Sequence, residues 1–319
     1  MTEWVRTVLG DIEPGALGRT DYHEHLFQAS VLLPGDDLDD ERRSTQEAAA
    51  LCGAGLDAMV DATPIGLGRD PAALARASAA TGLTIVATTG LHREAHYPAG
   101  HWVHEVTERD WTDRFVAELT RGQPAGEGTS PQQVALAPDG RPVRAGLLKA
   151  GISYWSWTHF ERRTLACVAA AHSLTGAAVM VHLEHGSAAH QVLDVLASDG
   201  VPPARVVLAH VDRNPDPDLL AELATRGAYL GCDGMARHRD WPDSALVELL
   251  SSLVAAGATQ RLLLGGDVAR RSRYVAYGGM PGLQYLPDRF LPRVLRATSP
   301  DVVRTILVDN PARLLSWAA

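Results

Sequence analysis

The sequence is poor in cysteine, and its three cysteines exclude the structures that cysteine-rich proteins form. Cys52, Cys167 and Cys232 are far apart in the chain and form no CxxC pair. This spacing argues against a zinc site built from cysteines and against a disulfide scaffold. Their apolar or small neighbours instead favour buried free thiols in a reducing compartment.

Long hydrophobic runs are absent as well. No run approaches the ~20 apolar residues that a transmembrane helix needs. The N-terminal segment carries Glu3, Arg6 and Asp11 where a secretory signal would need an unbroken apolar stretch. We therefore expect a cytoplasmic protein that is not associated with a membrane.

Basic residues are outnumbered, with 29 Lys and Arg against 38 Asp and Glu and a net charge of -9. Nucleic-acid binding needs a concentrated basic surface, which this composition does not indicate. Hydrophobic residues form 46% of the chain and charged residues 21%, as in globular proteins. The length of 319 residues suits one large α/β barrel, so we expect a single domain over residues 1–319.

Eight short apolar runs recur along the chain, each bounded by Gly, Pro or Asp and followed by a segment with helical periodicity. The runs cover residues 18–26, 56–64, 83–92, 143–153, 177–186, 204–212, 227–234 and 260–269. Predicted helices between them begin near Ser, Thr, Asp or Pro and end near Gly or Asn. These helices cover Pro71–Thr81 and residues 158–175, 187–198, 217–226 and 243–256.

This alternation predicts an α/β fold, a single (β/α)8 TIM barrel with parallel strands. Continuous apolar strands such as LTIVAT and VVLA indicate burial on both faces, hence a parallel sheet. Eight βα units are the number that closes a barrel. An open doubly wound sheet is the alternative, but no GxGxxG follows the first strand. The Gly- and Pro-rich stretch at residues 121–141 is interpreted as a loop leading into the fourth strand.

The first strand ends in DYHEHL, which places two histidines two residues apart. Alternation along a strand sends His23 and His25 to the same face, ~6.6 Å apart along the chain. Two histidines satisfied by hydrogen bonds are the alternative, but an HxH pair at the end of a barrel strand favours a metal site.

Three more polar residues lie late in other strands: His182 in VMVHLEHG, His210 in VVLAHVD and Asp267 in LLLGGDVA. The carboxyl ends of the strands gather at one face of a barrel, so side chains distant in sequence meet there. A buried Asp267 would be costly unless it were paired or bound to a metal. Together, four histidines and one carboxylate at strand ends favour a metal centre over separate hydrogen-bonded core residues.

Lys149 in RAGLLKAGIS is unusual because a protonated ammonium in an apolar strand is costly and cannot ligate a cation. A neutral amine can react with carbon dioxide to form a carbamate, an anion able to bridge two cations, and burial lowers a lysine pKa in the required direction. The alternative is an ion pair with Asp267 or another carboxylate. Spacing alone leaves both open.

This set of residues resembles the phosphotriesterase family of the amidohydrolase superfamily, especially its lactonase-like and phosphotriesterase-homology branches. The resemblance covers nearly the whole chain, from VRTVLGDI and HEH through the fourth-strand lysine and LAHVD to VDNPARLLS. It implies two divalent metal ions, with Zn2+ the expected metal. His23, His25 and Asp267 would bind the first ion, His182 and His210 the second, and a carboxylated Lys149 would bridge them.

The resemblance also implies hydrolysis by a hydroxide that bridges the two metals, with Asp267 taking the proton and delivering it to the leaving group. Asp267 and Lys149 are therefore the predicted catalytic residues. Glu184 and His185 are candidate partners for metal-bound histidines, which usually need such support.

The loop after the eighth strand should select the substrate, since it carries three arginines in an acidic protein. Arg270, Arg271 and Arg273 suggest an anion site because guanidinium groups suit phosphate or carboxylate, although each could instead pair with surface carboxylates. Tyr274 in this loop and Tyr97 after the third strand are further predicted substrate-binding residues. Arg93, Trp155 and Trp157 are other residues that could line the pocket.

The loop after the third strand holds four histidines, His92, His96, His101 and His104. Their spacing matches no closed metal site, and loop histidines are commonly solvated. Their roles stay open.

These features predict a dinuclear metal-dependent hydrolase that opens a lactone, possibly a phosphorylated or carboxylated sugar lactone. The first alternative is a phosphotriesterase, and the second is a ligand-binding barrel without catalytic activity. A small molecule is the expected partner, and a homodimer is possible.

Overall fold

The computed structural model describes residues 3–129, 133–237 and 241–318. Part of the predicted loop at 121–141, residues 130–132, thus lies outside the described residues, as do the two chain ends of the predicted domain. In chain order the strands are β1 (Glu3–Thr7), β2 (Gly10–Ile12), β3 (Thr20–Glu24), β4 (Ala58–Asp61), β5 (Thr84–Gly90), β6 (Ala145–Ile152), β7 (Val179–Leu183), β8 (Val206–Ala209), β9 (Tyr229–Cys232), β10 (Leu262–Leu264) and β11 (Ser316–Ala318).

The α-helices lie mainly between the strands. They are α1 (Glu41–Gly53), α2 (Pro71–Thr81), α3 (Glu108–Thr120), α4 (His159–Thr175), α5 (Ala189–Ser198), α6 (Pro217–Thr225), α7 (Asp243–Ala255), α8 (Leu291–Ala297), α9 (Pro300–Arg304) and α10 (Asn310–Leu315). Each predicted helix is present, with its ends within about two residues of the prediction.

Strands β3 to β10 form one parallel sheet in sequential order. The sheet closes where the backbone N–H of Asp267, just after β10, donates a 2.8 Å hydrogen bond to the carbonyl of His23 in β3. The predicted (β/α)8 barrel is thereby confirmed. Closure also brings the first and last predicted ligands of the chain side by side.

Local sequence signals explain the helix boundaries. Asp70 caps α2 by accepting from the Ala73 N–H, with proline at the first helical position. At α4, Thr158 and Glu161 form a reciprocal capping box. These are side-chain contacts of the kind that the sequence predicted from residue type alone.

The sequence did not predict a small antiparallel sheet, in which β1 lies between β11 and β2. Its residues pack against the amino end of the barrel, where the Trp317 indole donates to the carbonyl of Gly146. A Cβ at Gly146 would lie 2.4 Å from the carbonyl oxygen of Arg6, so only glycine permits this approach. The sheet therefore closes the end of the barrel opposite the strand-end histidines.

The three cysteines are free, with Cys167 and Cys232 buried and Cys52 partly buried. Among the described residues, none of the helices combines the length and the apolar character required to span a bilayer.

Candidate metal centre

The structure brings the six predicted ligands to the carboxyl end of the barrel. Each belongs to a barrel strand or to the loop that directly follows one. All six residues are buried, none exposing more than 7% of its surface. They are His23, His25, Lys149, His182, His210 and Asp267.

Their polar atoms lie close together. The Oδ1 atom of Asp267 is 3.7 Å from Nε2 of His23 and 3.5 Å from Nε2 of His25. These three residues offer ligand atoms within 4.8 Å of one another, as a bound cation requires. On the other side, the rings of His182 and His210 lie 4.5 Å apart between their centroids.

Asp233 holds two of the histidines in place. Its Oδ2 lies 3.1 Å from Nδ1 of His23, and its Oδ1 lies 2.6 Å from Nδ1 of His210. The Tyr22 hydroxyl also donates to Oδ2. Although His23, His210 and Asp233 could form a cation group by distance, Asp233 occupies the Nδ1 atoms. Both Nε2 atoms are thus left for metal, and Asp233 orients the two imidazoles.

The other two histidines have partners of the same kind. Nδ1 of His25 lies 2.8 Å from the Thr63 hydroxyl, and Nε2 of His182 lies 3.1 Å from Glu184. Arg93 in turn forms a 3.0 Å ion pair with Glu184. Every predicted histidine ligand therefore has one nitrogen held by the protein and one available for a cation, which is the arrangement of metal-binding imidazoles.

The protonation states also suit a cation. Burial first, and then the charge of Lys149, lowers the pKa of His23 to about 3, so its ring is neutral. Burial alone would raise the pKa of Asp267, but Arg237 and the neighbouring histidines hold it well below its usual value. Metal ligands must be deprotonated, and His23 and Asp267 meet this requirement.

Lys149 is almost fully buried and lies among the predicted ligands. Its Nζ is 3.4 Å from Nε2 of His23 and 3.0 Å from the sulfur of Met180. Burial lowers its pKa to about 8, against the pull of Asp267. Within the described parts of the chain Lys149 forms no salt bridge, so the alternative of a direct ion pair with Asp267 is not observed there.

Backbone strain is concentrated at this face of the barrel. His210 and Asp267 have φ values of 65° and 45°, in the left-handed region that side chains other than glycine rarely adopt. Such conformations persist where the surrounding structure enforces them, commonly at functional sites. Here they turn the two side chains at the ends of β8 and β10.

A cavity of about 380 Å³ adjoins the centre, and arginines line it. The guanidinium group of Arg213 lies 2.8 Å from Oδ2 of Asp267, and that of Arg237 also bonds to Asp267. Arg270 and Arg273 line the same cavity. Four arginines therefore line this cavity, and two of them, Arg213 and Arg237, bond to the predicted metal ligand Asp267.

Some residues of the loop after β10 face this cavity and others do not. Arg270 and Arg273 face it as expected. Arg271 does not line it and packs 5.4 Å above the ring of Tyr277 instead.

The structure also locates the two tyrosines that were predicted to bind substrate. Tyr274 is fully buried, and its hydroxyl donates to the carbonyl of His25. The Tyr97 hydroxyl donates to the carbonyl of Ile65 and accepts from the N–H of His92. Both hydroxyls therefore have partners within the protein, and contact of either tyrosine with substrate stays a prediction. Neither tyrosine could be distinguished from a pocket residue by its sequence position.

Sequence reasoning missed three residues of the site, Asp233, Arg213 and Arg237. Asp233 is the last but one residue of the seventh run, GAYLGCDG, and a carboxylate directly after a barrel strand was an available signal. Arg213 follows LAHVD in the same way. Arg237 lies in a loop without periodicity, and no sequence signal marked it.

The remaining candidates divide between the mouth and the surface. The ring of His92 lies 4.5 Å from that of His182. His101 accepts from the N–H of Val103, and His104 bonds to the carbonyl of Tyr97. Trp155 and His185 are largely exposed, while Trp157 packs partly buried against the core.

The fold and the site together define a (β/α)8-barrel enzyme with a histidine and carboxylate centre that can hold metal at the carboxyl ends of its strands. The chain belongs to the phosphotriesterase family, which it matches over residues 3–315. The family is metal-dependent and hydrolytic, and this protein is accordingly an ester-hydrolysing enzyme.

Similar proteins include lactonases. A phospho-furanose lactonase from Mycoplasmopsis synoviae is 29% identical over 330 residues, covering 99% of this chain and 92% of that protein. The crystal structure of a lactonase from Listeria monocytogenes matches with a TM-score of 0.88 and 28% identity, covering 99% of this chain and 100% of that one. The phosphotriesterase homology protein from Escherichia coli, complexed with phosphate in its active site, has a TM-score of 0.82 and 26% identity, covering 94% and 99%.

Proposed function

We propose that this protein opens a lactone that carries an anionic group, such as a phosphorylated or carboxylated sugar lactone. The observation that carries the proposal is the cavity lined by four arginines, two of which, Arg213 and Arg237, bond to Asp267. The similarity to a phospho-furanose lactonase supports the same substrate class.

The charges of the cavity explain why the substrate should be an anion. Arg213 and Arg237 already share the carboxylate of Asp267, whereas Arg270 lies 3.7 Å from Asp36 and is about half exposed. Guanidinium groups bind phosphate and carboxylate through paired N–H donors, and such charge-assisted bonds are roughly twice as strong as neutral ones. A substrate anion would neutralise the excess positive charge of this wall.

We propose that two divalent ions, with Zn2+ the expected metal, occupy the centre. His23, His25 and Asp267 would hold the first, His182 and His210 the second, and a carboxylated Lys149 would join them. Buried neutral imidazoles and an ionised aspartate support this assignment. When bound, the ions would polarise the ester carbonyl and acidify a water molecule.

The side chains around the centre would orient and move protons. Oδ2 of Asp267 is held by two arginines, while Oδ1 faces His23 and His25. We assign to Asp267 the transfer of a proton from the attacking water to the alkoxide that leaves when the ring opens. Asp233 and Glu184 would keep the imidazoles in their ligating orientation.

The cavity and the ligand set also allow the lactonase to be compared with the two alternative functions, a phosphotriesterase and a barrel without catalytic activity. A phosphotriesterase acting on neutral aryl esters needs an apolar pocket, yet among the described residues the large apolar side chains that line this cavity are Trp241 and Leu246 alone. A barrel without catalytic activity is expected to lack a ligand or the base, whereas all six predicted positions are occupied by suitable residues. We therefore favour the lactonase.

We propose that the protein is a single domain over residues 1–319 that acts on a small molecule in the cytoplasm. We also propose that it binds neither nucleic acid nor membrane, and a homodimer is the proposed alternative to a monomer. The net charge of -9 supports the exclusion of nucleic acid. Buried free thiols support a reducing compartment.

The test compares hydrolysis of one lactone with and without its phosphate group in the wild type and in two arginine variants. Arg270→Ala removes a charge that faces the cavity and should raise KM for the phosphorylated lactone about tenfold or more. Arg271→Ala is the matched control, since Arg271 packs on Tyr277, and should leave KM unchanged. Faster hydrolysis of aryl phosphotriesters than of any lactone would overturn the proposal.

A further inference from the structure

Two histidines of the loop after β5 form a stacked pair at the edge of the metal centre, and the proposed function gives them no role. The rings of His92 and His96 lie 3.9 Å apart between centroids, tilted by 32°. His92 also contacts the ring of His182 at 4.5 Å. We call His92 and His96 the histidine pair.

Hydrogen bonds determine which nitrogen of His92 carries the proton. Its Nδ1 accepts a 2.8 Å hydrogen bond from the backbone N–H of Arg93. A nitrogen that accepts such a bond carries no proton, so the neutral ring must bear its hydrogen on Nε2. His92 therefore presents an N–H donor from the nitrogen that is not bound to the loop.

His96 has a comparable environment. Its Nδ1 lies 2.9 Å from the Ser30 hydroxyl, which accepts from the N–H of Leu32 and has its own proton left to donate. That donation would leave the hydrogen of His96 on Nε2 as well. The pair would thus offer two neutral N–H donors from one wall.

Contacts with Tyr97 and with β6 hold the loop of the histidine pair in place. The Tyr97 hydroxyl accepts from the backbone N–H of His92. A Cβ at Gly151 would lie only 2.8 Å from the backbone nitrogen of Arg93, so the loop packs tightly on β6. Both residues are partly exposed. Among the described residues, neither Nε2 has a hydrogen-bond partner, and neither belongs to the buried polar atoms that lack one.

The position of the pair relative to the arginines suggests what it contacts. The pair follows β5, whereas Arg237 follows β9, four strands away in a closed ring of eight. The two loops therefore stand on opposite sides of the mouth, with the metal centre between them. A substrate anchored by its anion at the arginines would turn its other end towards the pair.

We propose that the histidine pair binds a hydroxyl group of the lactone, and so selects hydroxylated sugar lactones over lactones with plain alkyl chains. This inference rests on the proposed lactonase function and adds to it how the uncharged part of the substrate is bound. Neutral N–H donors suit sugar oxygens, whereas a charged wall would compete for the anion. A site built to bind a hydroxyl discriminates strongly against an analogue that lacks it.

The experiment measures kcat and KM for two phosphorylated γ-lactones, one with its ring hydroxyls and one without them. His92→Phe and His96→Phe should each raise KM for the hydroxylated lactone about tenfold, which is the size expected for one lost hydrogen bond, and leave the deoxy lactone unchanged. His92→Gln restores an N–H donor and should recover most of the loss. His159→Phe, at an exposed position at the start of α4, is the matched control.

A second readout does not depend on turnover. Binding of the hydroxy-acid product, measured by calorimetry, should weaken in His92→Phe in parallel with KM, while the metal content per chain stays at the wild-type level. A fall in metal content would overturn the proposal, because the pair would then support His182 rather than touch the substrate. Equal effects on both lactones would also overturn it.

Failure of the proposed function is distinguishable from failure of the inference. If the protein is not a lactonase, the wild type will hydrolyse neither lactone. If only the role of the histidine pair is wrong, the wild type will hydrolyse them and the Phe variants will keep its preference.

Discussion

His23 and His210, from the first and sixth strands of the barrel, are held by the two oxygens of one carboxylate, Asp233. The Nδ1 atoms lie 3.1 Å and 2.6 Å from that side chain. Because the two histidines are assigned to different metal ions, a single residue sets the orientation of a ligand to each. Burial opposes the ionised form, but His210 and His23 hold the pKa of Asp233 well below its usual value.

Replacing Asp233 by Asn should therefore weaken binding at both positions. The amide cannot accept from two imidazole N–H groups, and loss of such partners costs about 10- to 100-fold in metal affinity or activity. Titration of the apoprotein with Zn2+ would measure the change. Asp113→Asn, at an exposed position on α3, is the control and should bind metal like the wild type. Unchanged affinity in Asp233→Asn would remove this residue from the site.

Lys149 should carry a carboxyl group in the metal-loaded protein. Growth or reconstitution with 13C-bicarbonate should give one carbamate carbon signal in the NMR spectrum, absent from Lys149→Met. The variant should also hold less metal, since it lacks the joining ligand. A wild-type protein with two metals and no carbamate signal would show that Lys149 plays another part.

A buried ion pair between Arg69 and Glu118 stabilises the loop after β4. Arg69 donates to both oxygens of Glu118 at 2.7 and 2.8 Å, and both side chains are almost fully buried. Glu118→Gln should lower the free energy of unfolding by about 3 to 5 kcal/mol, because Arg69 would keep its charge without its main partner. Glu41→Gln breaks a half-exposed pair with Arg76 and should cost less than about 1 kcal/mol.

The same pair predicts a dependence of stability on pH. Burial raises the pKa of Glu118, but Arg69 and its other partners outweigh burial and set the pKa below the usual 4.5. A carboxyl with a lowered folded-state pKa stabilises the protein above its unfolded value, and the stabilisation is lost as pH falls through the folded value. Denaturant unfolding should therefore show a constant difference in the free energy of unfolding between wild type and Glu118→Gln near neutral pH. This difference in the free energy of unfolding should become smaller below pH 4.5.

The fold could be predicted because its signals are local and repeated. Each barrel strand is a short apolar run, and each crossover helix has its own cap, as Asp70 and Thr158 show. The sheet of β1, β2 and β11 could not be predicted in this way. It pairs segments from the two ends of the chain, and each of its strands is too short to show a period.

The site divides along a similar line. His23, His25, His182, His210 and Asp267 were identifiable because strand ends meet at one face of a barrel. The orientation of side chains within a loop follows from tertiary contacts, so Arg271 and Tyr274 could not be separated from Arg270 by sequence. Asp233 carried the same strand-end signal as Asp267, but its contacts with His23 and His210 follow from the fold and are not visible in the sequence.

The most direct test of the account is the metal content of active protein, measured by mass spectrometry on the same sample that is assayed for lactone hydrolysis. The account predicts two divalent ions per chain, with activity lost on chelation and regained on adding Zn2+. His23→Ala should lose both metal and turnover. Full activity in protein that contains no divalent ion would contradict the account.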